Sequence, residues 1–129
     1  MTNSPTHGLL LFAHGARDAR WALPFEAVAA RVRAASPTTP LGLAFLEFMA
    51  PGLIEAGGQL ARQGCRRVDV VPLFLGAGGH VRKDLPLLLD ELRGLHPSVE
   101  WHLQPTIGET DAVVDAMANV ALAALTTHR

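Results

Sequence analysis

The sequence predicts an α/β domain built on a four-stranded parallel sheet, in the order 2-1-3-4, with helices on both faces. Two observations carry this. Short apolar runs alternate with longer stretches of helical spacing along the chain, giving the order βαβαβαβα. The first run is almost continuously apolar, as in a strand covered on both faces, and strict alternation of strands and helices implies a parallel sheet with right-handed crossovers. In such a sheet a ligand sits beyond the carboxyl ends of the strands where the order reverses, here between the first and third strands. The 129 residues suit one domain over 1–129, with 1–6 and 126–129 expected to fray.

Each element has its own warrant. His7 to Ala13 (HGLLLFA) reads as β1. After the polar turn His14-Gly15-Ala16-Arg17-Asp18, Trp21 to Ala35 places Phe25, Val28, Ala29 and Val32 on one stripe, which predicts α1. Leu41 to Leu46 reads as β2, with Glu47 at its ligand-facing end. Pro51 suits the first turn of α2, which runs to about Gln63 and stops at Gly64. Arg67 to Leu73 is rich in β-branched residues and predicts β3, with Pro72 near its end because proline cannot donate a ladder bond. A loop from Phe74 to His80 follows. Leu85, Leu88, Leu89 and Leu92 mark α3 from Val81, with Pro86 in its first turn or kinking it. Val99 to Leu103 alternates as β4. Asp111 to Leu125 predicts α4, with Val113, Val114, Met117, Val120, Ala121 and Leu125 facing the core.

Composition narrows the function. Eleven basic against twelve acidic residues give a net charge of −1, without the basic excess of a nucleic-acid-coating protein. The single cysteine, Cys65, excludes an internal disulfide framework and a cysteine-rich zinc site. No apolar run approaches the roughly 20 residues of a membrane span, and Met1 to Thr6 lacks signal-peptide character. A cytoplasmic protein with no nucleic-acid or membrane partner is expected.

Two of the six histidines, His14 and His80, directly follow β1 and β3, and adjacent strands bring those loops together. Glu47 ends β2 beside them. Two imidazoles and a carboxylate suit a divalent ion of the cobalt, nickel, iron or zinc kind, and so few ligands leave coordination positions open for exchange. Gly15, Gly76, Gly78 and Gly79 leave room for a bulky or planar ligand. Arg17, Arg20, Arg82 and Lys83 gather cations on the same rim, where they would steer an acidic substrate. Each feature also has a plainer reading. Glu47 can cap the next helix, the cations can pair with Asp18 or Asp84, and a histidine at a strand end can simply be solvated. Glu109 could reach the cleft, but capping of α4 by Thr110 or Asp111 is simpler. His7, His96, His102, His128 and Cys65 receive no role.

At these residues the chain resembles the small single-domain sirohydrochlorin chelatases of the type II cobaltochelatase, CbiX-like family. The matching stretches are AHGARD (Ala13 to Asp18), AFLEFMAPGLIEA (Ala44 to Ala56) and, most specifically, VPLFLGAGGHV (Val71 to Val81). The resemblance implies a chelatase-like, flavodoxin-like fold. It implies ATP-independent insertion of a divalent metal, cobalt first with iron or nickel as alternatives, into the carboxylate-rich tetrapyrrole sirohydrochlorin, toward cobalamin, sirohaem or a nickel cofactor. No organic cofactor is implied. His14 and His80 take the metal-handling positions, and a homodimer is implied because larger relatives join two such domains. Each imidazole can coordinate the ion or accept a pyrrole proton, and Glu47 can serve as ligand or base. The macrocycle would meet Arg17, Arg82, Gly78, Gly79 and Phe48, with Phe12, Leu46, Met49, Phe74 and Leu75 either completing an apolar roof or simply belonging to the core. The histidine phosphatases also place His-Gly after a first strand, but their preceding arginine is Ala13 here. A non-catalytic metal carrier or sensor using His14, His80 and Glu47 is the other alternative.

Overall fold

The computed structural model describes residues 6–76 and 78–127, the side chains of His80 and Thr127 excepted. Residues 1–5 and 128–129, and with them His128, lie outside that range. Four strands, β1 (His7–Ala13), β2 (Leu41–Phe45), β3 (Arg67–Pro72) and β4 (Glu100–Leu103), form one sheet in the order β2-β1-β3-β4. Every neighbouring pair is parallel. The helices are α1 (Leu23–Ala35), α2 (Leu53–Arg62), α3 (Gly79–Leu95) and α4 (Asp111–Thr127), with short 3-10 turns at Ala19–Ala22 and Ile107–Glu109. No helix among the described residues is long and apolar enough to cross a membrane.

Alternation along the strands sorts the side chains onto two faces. On one, Leu10, Phe12, Ala44, Val68, Val70 and Trp101 pack against Leu53, Ala56 and Leu60 of α2 and Leu85, Leu89 and Leu92 of α3. Leu10, Leu60, Leu89 and Leu92 are almost wholly enclosed, and each contributes about 1.5–3 kcal/mol by leaving water. On the other face Ala13, Phe45 and Ala22 form a smaller cluster, flanked by Trp21, Phe25, Leu43 and Met49.

Several boundaries differ from the sequence expectation, each for a local reason. The stretch after Asp18 opens with a 3-10 turn, because the Asp18 carboxylate accepts from the Arg20 amide at 2.9 Å, and α1 follows with Pro24 in its first turn. Val28, expected on the buried stripe, is exposed, while Ala29 is the helix's one fully buried residue. Helix α2 starts at Leu53 rather than Pro51, whose carbonyl accepts from the Phe45 amide at 2.9 Å. Helix α3 starts at Gly79, after an extended Gly78, so His80 lies in its first turn rather than in a loop. Pro86 lies well inside α3, which continues through it, although Pro86 offers no N–H to the carbonyl of Arg82.

The largest departure is α4. Expected against the core, Val114, Met117, Val120 and Leu125 are all exposed, with Val120 at 74% and Leu125 at 77%. Among the described residues its substantial contacts are with the Ile107–Glu109 turn alone. The sheet face opposite α2 and α3 is mixed in character. In the β3–β4 register Arg67 pairs with Glu100 and Asp69 with His102, so the outer part of that face is polar, and its apolar residues Leu9, Leu11 and Val71 lie toward β1 and the end of β3.

Candidate active site

The site begins where the β1–β2 ladder runs past the end of both strands. The Leu46 amide donates to the Ala13 carbonyl (2.9 Å) and the Glu47 amide to the His14 carbonyl (3.1 Å). This places both side chains at the carboxyl edge, where His14 Nε2 stands 3.0 Å from Glu47 Oε2. Both are about half exposed, at 47% and 48%. The Phe74 ring, after β3, meets the His14 ring edge-on with centroids 6.1 Å apart.

Gly15 makes this approach possible. Its φ is +98°, and a Cβ there would lie 1.9 Å from the Glu47 carbonyl oxygen. Only glycine allows the turn after β1 and the turn after β2 to close on each other.

A separation of 3.0 Å also suits two ligand atoms on one ion: with bonds of about 2.1 Å it subtends about 90°, an adjacent pair of coordination positions. Without an ion, an ionised Glu47 accepts a hydrogen bond from His14 Nε2–H. The arrangement can therefore bind a divalent ion with two ligands, or pass a proton between imidazole and carboxylate. Among the described residues no group of three His, Cys, Asp or Glu side chains is placed to hold an ion.

Phe48, next to Glu47, is the one non-glycine residue with positive φ among those described, at 67°. That conformation costs of order 1–3 kcal/mol, yet it leaves the ring 58% exposed. Arg17 covers it, its Cζ 4.9 Å from the ring centroid. Arg20, the other cation of this turn, folds back onto Asp18 (3.0 Å) and holds that carboxyl below its usual range.

Across the edge, at Gly76, Gly78 and Gly79, a Cβ would meet nothing within 4 Å among the described residues. His80 stands in the first turn of α3, and its side chain lies outside the described residues. Arg82 and Lys83 are exposed, and Arg82 also lines a cavity of about 210 Å³ with Gln104, Thr106 and Glu109. The structure thus gathers His14, Glu47, Phe48 and Arg17 into one cluster. Gly78, Gly79 and Arg82 begin the helix that follows the adjacent strand. Of the remaining histidines, His7 bonds to Asp69, His102 approaches Glu100, and the His96 carbonyl accepts from the Trp101 indole. Sequence reasoning passed over Gly108, whose backbone docks on Leu75 beside this edge; a lone glycine in a turn carries no signal of what it touches.

The family model described as CbiX matches residues 8–124. The chain belongs to the CbiX family. A CbiX protein assigned to cobalamin (vitamin B12) biosynthesis in Marinobacter aquaeolei superposes with a TM-score of 0.84 at 33% identity, covering 94% of this chain and 98% of that one. The sirohydrochlorin cobaltochelatase of Sulfurisphaera tokodaii is 34% identical over 89 residues, 69% of this chain and 72% of the relative. The sirohydrochlorin chelatase SirB of Bacillus subtilis subspecies spizizenii, solved in complex with cobalt, gives a TM-score of 0.73 at 25% identity over 88% of this chain. The match covers only 49% of SirB, so this CbiX-family chain corresponds to about half of that molecule.

Proposed function

We propose that this chain is an ATP-independent chelatase that inserts a divalent metal into sirohydrochlorin, with cobalt(II) as the first candidate and iron(II) or nickel(II) as alternatives. The observation that carries the reading is the His14–Glu47 pair, 3.0 Å apart and half exposed at the open carboxyl edge of a CbiX-family sheet. Insertion exchanges two pyrrole N–H protons for one M²⁺, with no change of oxidation state. It needs a site that holds the ion through few ligands and a base that takes protons. His14 and Glu47 supply both at one place, and His80, at the start of α3, completes the metal-handling set. Phe48 offers an exposed ring to the macrocycle face, and Arg17 and Arg82 offer cations to its carboxylates, while Gly78 and Gly79 leave clearance.

The chain acts in this reading as one cytoplasmic domain that pairs with a second copy. The half-length match to SirB and the uncovered apolar residues of α4 support that pairing.

Anaerobic absorbance assays with sirohydrochlorin and cobalt(II), iron(II) or nickel(II) test the proposal. Acceleration over the spontaneous rate is expected, ranking the metals, with a loss of about 100-fold or more in His14→Ala and His80→Ala and a smaller loss in Glu47→Gln. A folded wild-type protein that binds the ions yet accelerates none of them would overturn it in favour of a metal carrier.

A further inference from the structure

The close backbone docking seen at Gly15 recurs on the other side of the site. Gly108 lies in the Ile107–Glu109 turn between β4 and α4, and its amide donates to the Phe74 carbonyl at 2.9 Å. A Cβ at Gly108 would lie 1.9 Å from the Leu75 carbonyl oxygen, 2.4 Å from its carbonyl carbon and 2.5 Å from its Cα. All three are backbone atoms, so no change of rotamer relieves the overlap. Phe74 is buried and its ring touches His14. Leu75 is 68% exposed and leads into the open glycine stretch that ends at His80.

Which side would yield follows from how each is held. The Ile107–Glu109 turn is wound tightly: the Glu109 amide donates to the Thr106 carbonyl (3.0 Å), and the Thr110 amide and hydroxyl both donate to the Ile107 carbonyl (3.1 and 2.7 Å). At Gly76, Gly78 and Gly79 nothing stands within 4 Å of a Cβ position. Among the described residues the glycine stretch is thus the less closely packed partner, the one expected to yield.

We infer that Gly108 is a positioning residue: the β4–α4 turn braces the loop that delivers His80 to the metal, and only glycine lets that brace close. Gly108 meets the backbone of Phe74 and Leu75 and acts through them. The inference rests on the chelatase reading for its kinetic consequence, but not for its structural one.

The test is Gly108→Ala in the full chain, with Gly94→Ala as control, since a Cβ at Gly94 meets nothing within 4 Å. In Gly108→Ala, kcat for cobalt insertion into sirohydrochlorin is expected to fall about tenfold or more, because a displacement of about 1 Å costs on the order of 100-fold. KM for the macrocycle should move less than about threefold, and amide hydrogen exchange should quicken at Leu75, Gly76, Gly78 and Gly79 but not in α2. Gly94→Ala should leave kcat unchanged. A folded Gly108→Ala with wild-type kcat, or with a lowered kcat and unchanged exchange in the loop, overturns the brace. If Gly108→Ala does not fold, Thr110→Val decides. It removes the hydroxyl bond that winds the turn and adds no clash at Leu75, so a fall of about two- to fivefold in kcat with faster loop exchange supports the brace, and wild-type behaviour overturns it. If the wild-type chain accelerates no insertion, the chelatase reading fails, and the exchange pattern still decides the brace.

Discussion

His14 and Glu47 are 33 positions apart in the chain and meet only because two backbone bonds extend the β1–β2 ladder past the strands. Their contact depends on a residue with no side chain. Replacing Gly15 by alanine adds a Cβ 1.9 Å from the Glu47 carbonyl, at a backbone angle that side chains rarely adopt. Gly15→Ala is therefore expected to lower stability by about 1–3 kcal/mol and, if the proposed function holds, to weaken cobalt(II) binding more than Glu47→Gln does, because it displaces His14 and Glu47 together. Denaturant midpoints and a metal titration measure the two effects, and wild-type metal affinity in Gly15→Ala would refute the coupling. Phe48 is a large ring held exposed at an unfavourable φ, and the proposed function gives that ring the macrocycle face to meet.

Among the elements, β3 shows how a sheet face can be polar and still ordered. Asp69 is mostly buried, yet its carboxyl sits below the usual carboxylate value. Burial pushes it up, but hydrogen bonds from His7, Arg67 and Gln104 together outweigh that. A carboxyl whose pKa is depressed on folding stabilises the fold above its unfolded value of about 3.9, and that contribution is lost as pH falls through the folded value. Asp69→Asn should therefore cost about 1–3 kcal/mol near neutral pH and flatten the fall in stability below about pH 4. Unfolding curves that stay parallel for the two proteins down to that range would show that Asp69 contributes no linkage.

At the scale of the whole molecule, the exposure of α4 bears on assembly. Met117, Val120, Leu122 and Leu125 expose apolar surface along α4, whose only acidic residues are Asp111 and Asp115. A chain matching 49% of SirB is the size of one half of that molecule. If a second copy covers α4, sedimentation should give twice the chain mass of 13.7 kDa, and Val120→Asp with Leu125→Asp should reduce it to one. A wild-type chain that sediments at its own mass at all practical concentrations would remove the homodimer from the proposal.

The order of elements, the parallel sheet and the sites of His14, Glu47 and the glycine stretch before His80 were legible in the sequence. Apolar periodicity, strand ends and glycine placement are local properties written residue by residue. The start of α3 at Gly79, the wound turn after Asp18 and the exposure of α4 were not, because each depends on which backbone groups and which sheet face the element meets. Helical spacing showed that α4 has an apolar side; it could not show that α4 makes its substantial contacts, among the described residues, with the Ile107–Glu109 turn alone. Nor could it show that Glu47 lies within hydrogen-bonding distance of His14, or that Gly108 lies against Leu75, since both distances are fixed by the strand register and by chain segments far apart in sequence.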